Sequence, residues 1–300
     1  MDMAAGCGRY APSPSGDLHL GNLRTGLLAW LFARNSGRAL LLRVEDLDRD
    51  RSRPGMAERQ RADLESLGIE FSGPVLVQSR RRAEYDRALD RLGERVYPCF
   101  CTRREIAEAA SAPHAAPGRY PGTCRNLSTT DRHERELTRH PALRLRADDV
   151  EMTITDLLHG AYGGRPDDVV LRRNDGVAAY NLAVVVDDSA SGVDQVVRGD
   201  DLLESAPSQA YLAALLGFPA PVYAHVPLAL NAQGRRLAKR DGAVTLADLA
   251  RRRVPVGAVL TRLAVSLNLA APGEEIDTGV LLQRFDPAVL PRGPWIIEPE

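Results

Sequence analysis

Over the first hundred positions, compact apolar runs alternate with apolar residues at helical spacing. Gly8 to Pro12 reads as a short strand running into a small-residue loop, Pro12 to Gly16. Leu20, Leu23, Leu27, Leu28 and Leu31 then fall on one face of a helix that stops near Gly37. Ala39 to Val44 is an apolar run enclosing Arg43, the pattern of a buried strand. Pro54 opens a helix that carries Met56, Leu64 and Leu67 and ends at Gly68. Val75 to Val77 reads as another strand and Ala83 to Leu92 as a helix. Strand and helix in regular alternation predict a parallel sheet with crossover helices.

The alternation breaks near Tyr97. The next stretch holds a Pro/Gly-rich segment, Pro113 to Gly122, and short β-like runs at Leu143 to Arg146, Met152 to Thr155 and Val169 to Leu171. It reads as an insertion with a small core of its own, and Asn174-Asp175-Gly176 is a hairpin turn leading out of it. Ala178 to Val186 has the look of a return to the buried sheet. A helix follows at Asp200 to Leu216 and a strand at Val222 to Leu230, then helices at Leu246 to Arg253 and Val256 to Leu267, and Pro-rich turns around Pro291 and Pro294. The chain divides accordingly into the first half of an α/β domain (1–96), an insertion (97–172), the second half (173–245) and a helical region (246–300).

Composition narrows the classes. The chain has 300 residues, 44% hydrophobic and 26% charged, which excludes wholesale disorder and a collagen-like repeat. No apolar run approaches the roughly 18 residues of a membrane span, and Met1 to Gly16 has no apolar segment of a secretory signal, so a soluble cytoplasmic protein is expected. Net charge is −1, so any nucleic-acid contact must be a local patch. Of the 39 basic Lys and Arg residues a single one is lysine, Lys239. Where arginine serves as the generic cation, a retained lysine marks a place for a compact point charge on a thin stem.

Two short segments carry chemistry. In Pro12-Ser13-Pro14-Ser15-Gly16-Asp17-Leu18-His19-Leu20-Gly21-Asn22 a strand ends, a tight loop follows and a helix begins. A helix start with free N–H groups is a ready phosphate site, Gly21 allows close approach of a flat ligand, and His19 can donate to a phosphoryl oxygen. The second segment, Arg235-Arg236-Leu237-Ala238-Lys239-Arg240, follows an apolar strand and a turn, and a cationic loop there could lie over a polyphosphate held by the first. Cys99, Cys101 and Cys124 cluster, with Cys-x-Cys spacing, as metal ligands do, whereas Cys7 stands apart. A fourth donor could be Tyr120, His114 or His133.

These segments resemble class I aminoacyl-tRNA synthetases of the glutamyl type. RYAPSPSGDLHLGNLRTGL is similar to the HIGH signature and RLAKR to the KMSKS loop. RVEDLDRDRSRPG resembles the segment after the second strand, and YNLAVVVDD with VVRGDDLLESAPSQ resembles the amino-acid pocket and its following helix. The likeness runs in order from Arg9 to Leu249 and leaves a short remainder, too short for an added anticodon-binding domain. In this it resembles the truncated glutamyl paralogues that act on queuosine in tRNA(Asp), whose CxC…YxxxC insertion is matched by Cys99, Cys101, Tyr120 and Cys124.

The resemblance implies a Rossmann-type catalytic domain, a zinc-binding insertion and a C-terminal helical stem-contact region. It implies His19 and Lys239 as catalytic groups and Pro12, His19, Gly21, Asn22 and Lys239 as ATP contacts. It assigns glutamate to Arg9, Ser13, Glu45, Tyr180 and Arg198, and zinc to Cys99, Cys101, Cys124 and Tyr120. Two cations, one anion and hydroxyls complement free glutamate; which arginine takes which carboxylate stays open, as does an ordinary surface ion pair for Arg198 and Glu45. The implied reaction activates glutamate with Mg²⁺-ATP without tRNA, then transfers it to queuosine of tRNA(Asp) by a monomeric enzyme. Glutamylation of a tRNA 3′ end, a small nucleotidyltransferase sharing the first motif, and a non-catalytic tRNA- or zinc-binding paralogue are the rival readings. The sequence departs from the family pattern at Asn22, Arg236 and Ala238.

Overall fold

A computed structural model describes residues 6–110, 119–237 and 244–298. Strand β1 (Cys7–Tyr10) leads through helix α1 (Leu20–Asn35) to β2 (Ala39–Val44), and α2 (Met56–Ser66) returns to the short β3 (Leu76–Val77). After α3 (Arg82–Leu92) the chain leaves the sheet as β4 (Val96–Cys99), α4 (Arg103–Ala110), α5 (Thr129–Glu136) and β5 (Ala142–Leu145). The hairpin β6 (Met152–Asp156) and β7 (Gly160–Gly164) precedes β8 (Val170–Arg172) and α6 (Tyr180–Ala190). Then come β9 (Val193–Gly199), α7 (Ala206–Leu215), β10 (Val222–Val226) and β11 (Ala229–Asn231). The C-terminal part contains α8 (Leu246–Arg251), α9 (Val256–Val265), α10 (Thr278–Arg284) and β12 (Trp295–Ile297).

The main sheet runs β3-β2-β1-β9-β10-β6-β7, parallel throughout except for β7. Both faces are covered, as the nearly continuous apolar run of β2 (ALLLRV) reflects, while β1 and β9 carry polar side chains inside the sheet. On one face α1 packs with the C-terminal helices in a single core that includes Leu23, Leu27, Leu31, Val259, Leu263 and Phe285. On the other, α3, α6 and α7 pack through Tyr85, Leu182, Val186 and Leu212. Strand order reverses direction between β1 and β9. Chains leave their carboxyl ends to opposite sides there and open a crevice, the usual ligand position in such sheets.

Three expectations change. Ala178 to Val186 is not a strand: residues 180–190 form α6, with Leu182 to Asp188 buried. An apolar run buried on all sides has no period to tell helix from strand. The strand beside β1 is instead β9. Second, the β6–β7 hairpin joins the main sheet, through β6 against β10, rather than the insertion, whose own sheet is β4-β5-β8 beside Tyr97, Cys99, Phe100 and Cys124. Third, Val222 to Leu230 is not one strand: it divides into β10 and β11, and β11 pairs with β12. The C-terminal helices pack into α1's core. Arg24, fully buried on α1, ties them in: its guanidinium donates to Ser266 Oγ at 3.0 Å and to the carbonyl of Pro227 at 2.7 Å. Burial lowers its pKa to about 10, against the opposing pull of Asp200.

Candidate active site

A cleft of about 820 Å³ opens at the switch point. Arg9, Pro12, Ser13, His19, Gly21, Asn22, Glu45, Tyr180 and Arg198 all line it. The sequence-derived site is therefore assembled in one place, except for Lys239, which lies outside the described residues.

His19 is the N-cap of α1. Its Nδ1 accepts from the N–H groups of Gly21 (3.1 Å) and Asn22 (3.2 Å), and its own N–H donates to Asn22 Oδ1 at 3.3 Å. A nitrogen accepting two N–H groups carries no proton, so the ring is neutral with its proton on Nε2. Burial holds the pKa down at about 4. The free helix N–H groups expected from the sequence are occupied: Leu20 N–H donates to Val244 O and Leu23 N–H to His19 O. The donor this helix start offers the cleft is thus the His19 side chain, backed by the helix dipole. Gly21 makes room for that fold-back. A Cβ there would stand 3.1 Å from the imidazole and 3.0 Å from Ala229 Cβ.

Strand ends supply the charges. Arg9, at 4% exposure, donates to Asp188 (3.2 Å) and to Val197 O (3.2 Å). Arg43 bridges Asp188 and Glu45, the latter at 3.0 Å. Burial opposes ionisation of Asp188, but Arg43 and Arg9 outweigh it and hold the carboxyl below its usual range. Burial raises Glu45 against the pull of the same arginines. Arg198 differs: its hydrogen bonds go to His225 Nε2 (2.9 Å), Gln209 Oε1 (2.7 Å) and Leu202 O (3.4 Å), all neutral. Among the described residues it has no carboxylate partner within ion-pair distance. Arg43, Asp188 and Gln209 lie within the family-like segments but were not singled out as site residues, and His225 lies outside those segments; the Arg9–Asp188, Arg43–Asp188 and Arg198–His225 pairings join separate elements.

The second cationic segment frames the same cleft. Asn231 Oδ1 accepts from Gln233 and Arg235 N–H groups to shape the turn. Arg236 pairs with Asp201, and both line the cleft. On the far side of residues 238–243, Thr245 bridges to His19. The described residues on either side of 238–243 therefore lie at the cleft wall and at the start of α1.

In the insertion, the sulfurs of Cys99, Cys101 and Cys124 lie within 4.8 Å of one another. Tyr120 Oη sits among them, 3.2 Å from Cys99 Sγ, 3.7 Å from Cys101 Sγ, and accepts the Cys124 N–H at 2.9 Å. Cys101 and Cys124 sulfurs are 3.5 Å apart. A tetrahedral ion with thiolate and oxygen ligands needs S···S edges of about 3.8 Å and S···O edges of about 3.5 Å. The cluster can hold a metal ion. No histidine joins it among the described residues: His133 lies on exposed α5, and His114 falls outside them.

A parallel α/β sheet with a histidine-capped helix and a charged crevice at its switch point defines a nucleotide-activating catalytic domain of the class I synthetase type. The family of class I tRNA synthetases (E and Q), catalytic domain, matches residues 7–270, and the chain belongs to that family. A protein of Nocardia farcinica called glutamyl-Q tRNA(Asp) synthetase is 63% identical over 97% of this chain and 93% of its own length. One of Cutibacterium acnes with the same name is 51% identical over 94% and 85%. The glutamate tRNA ligase of Elizabethkingia meningosepticum, solved with its amino acid, superposes with a TM-score of 0.80 at 26% identity. That match covers 97% of this chain and 66% of that one, so the chain spans about two thirds of that enzyme's length. No helix among the described residues is long and apolar enough to cross a membrane.

Proposed function

We propose that this protein is a ligase that activates glutamate with ATP and transfers it to queuosine in the anticodon of tRNA(Asp). The observation that carries this reading is the meeting, in one cleft, of the His19 helix start and a pocket with Arg9, Arg198, Glu45, Ser13 and Tyr180. Glutamate brings two carboxylates and one ammonium, and the arginines and Glu45 answer them. Pro12, Gly21 and Asn22 form the floor for the nucleotide. One carboxylate oxygen of glutamate attacks the α-phosphorus, the bond to the β-phosphate bridging oxygen breaks, and pyrophosphate leaves. His19 donates from Nε2 to the phosphoryl oxygens as charge builds, and Lys239 neutralises the departing phosphates. Mg²⁺ accompanies ATP and screens its polyphosphate. A hydroxyl of the cyclopentenediol then attacks the acyl carbon and AMP departs. The chemistry rests on placement and charge, with no protein nucleophile.

The donor set and edge lengths of the insertion suit Zn²⁺ held by Cys99, Cys101, Cys124 and Tyr120, with all four positions filled by protein and hence a structural role. The relatives' names support the tRNA substrate, and the reading includes a cytoplasmic monomer. Glutamate-dependent exchange of pyrophosphate into ATP, without tRNA, tests the activation step. Silence with every amino acid overturns it. Lys239→Ala should slow exchange by about 100-fold or more with an unchanged melting temperature; an unchanged rate removes the role given to Lys239.

A further inference from the structure

Arg198, the last residue but one of β9, has no ion-pair partner among the described residues, and the structure shows how such a side chain is kept in place. Its register partner on β10 is His225. The ring of His225 has no exposure, and its Nε2 accepts the Arg198 Nε–H at 2.9 Å. That leaves the imidazole proton on Nδ1, which faces Asp156 Oδ2 at 2.6 Å. Asp156 is itself fixed at 2% exposure. Its Oδ1 accepts the N–H groups of Leu158 (2.8 Å) and His159 (2.9 Å), and its Oδ2 accepts the His225 N–H (3.1 Å). The hairpin β6–β7, which joins the main sheet by pairing with β10, is what delivers Asp156 to this point. Gln209 of α7 holds the other arm of the guanidinium and is anchored by Asn181 at 2.9 Å.

We propose that Asp156 and His225 are positioning residues for the amino-acid substrate: Asp156 sets the tautomer of His225, and His225 aims the Arg198 guanidinium into the cleft without neutralising it. A carboxylate in direct contact with Arg198 would fix the side chain equally well but would consume the charge that a substrate carboxylate needs. A neutral imidazole fixes it and leaves the charge. The carboxylate that keeps the imidazole in register is set one residue further back, behind the ring.

The inference rests on the proposed glutamate activation, and wild-type exchange is the control for that reading. Three variants test the relay by steady-state exchange against glutamate and ATP separately. His225→Phe keeps a ring but removes the acceptor. Asp156→Asn presents an amide N–H to Nδ1 and drives the proton to Nε2, against the Arg198 Nε–H. His225→Gln retains an acceptor oxygen. For the first two we expect KM for glutamate to rise about 10- to 100-fold, with KM for ATP and kcat within about threefold. His225→Gln should recover most of the lost affinity. Unchanged KM for glutamate in either of the first two variants, if folded, overturns the proposal. So does an equal rise in His225→Gln, which would assign the effect to packing. Melting temperatures identify a variant that has failed to fold, and His225→Gln against wild type then decides: near-wild-type KM supports the relay, and a large rise overturns it. A wild-type enzyme without glutamate-dependent exchange refutes the activity instead.

Discussion

His19 serves two roles that substitution can separate. As N-cap it satisfies two helix N–H groups through Nδ1, and as a cleft residue it offers Nε2–H. Asparagine is an equally good N-cap but too short to replace Nε2 in the cleft. His19→Asn should therefore cost under about 1 kcal/mol of stability while lowering the exchange rate about 100-fold; a normal rate would reduce His19 to a cap. The same residue makes a pH prediction. Its pKa falls from 6.5 to about 4 on folding, because burial disfavours the imidazolium. The unfolded chain then binds more protons between those values, so this contribution to stability is fully present above pH 6.5 and is lost as pH falls towards 4. Denaturant unfolding of His19→Asn should lose less stability than wild type across that window. An identical pH dependence would show that the ring is not buried neutral. Arg24→Ala would remove the partner of the Pro227 carbonyl and open a void, with a cost of about 2–4 kcal/mol in chemical denaturation.

Among the elements, the cysteine knuckle has the clearest mechanical role. Cys99 ends β4 and the following turn carries Cys101, so a bound ion would join β4 to the Tyr120–Cys124 segment. Phe100 N–H and Arg135 donate to Cys124 Sγ, at 3.5 Å and 3.7 Å, and stabilise it as a thiolate. Chelation should release one equivalent of zinc and lower the melting temperature by roughly 6–12 °C, the shift that corresponds to about 3 kcal/mol in a chain of this size. Protein that purifies without zinc and melts unchanged with chelator would dismiss the site. This cluster was legible in the sequence because its spacing is local, as were α1, β2 and α2, whose periods and stop signals lie within a few turns. Helix α6 was not, since an all-round apolar segment carries no phase. The pairings Arg9–Asp188 and His225–Asp156 were not either: they join residues 179 and 69 positions apart, and only the sheet order brings them together. Arg9 and Arg198 were legible only through family motifs. Charge alone does not distinguish them from the many other arginines.

For the whole molecule, the C-terminal part buttresses the catalytic cleft. Strand β12 pairs in parallel with β11, whose Ala229 lines the cleft, and Trp295 N–H donates to Leu228 O at 2.9 Å. With a net charge of −1 the molecule has no general affinity for RNA, so its grip on tRNA must come from local arginines and from recognition of the acceptor hydroxyl itself. In the proposed reaction the acceptor hydroxyl belongs to a modified base, not to a ribose at the chain end. Labelled glutamate should accordingly enter tRNA(Asp) that carries queuosine and should remain after the 3′-terminal adenosine is trimmed away. Unmodified tRNA(Asp) should take up less than about a hundredth as much, because loss of the attacking hydroxyl removes the acceptor rather than weakening a contact. Equal labelling of the two tRNAs, or loss of label on trimming, would move the reaction to the 3′ end while leaving the activation chemistry intact. The two steps of the proposed function thus fail independently, the first in the cleft at the ends of β1 and β9 and the second in the choice of RNA.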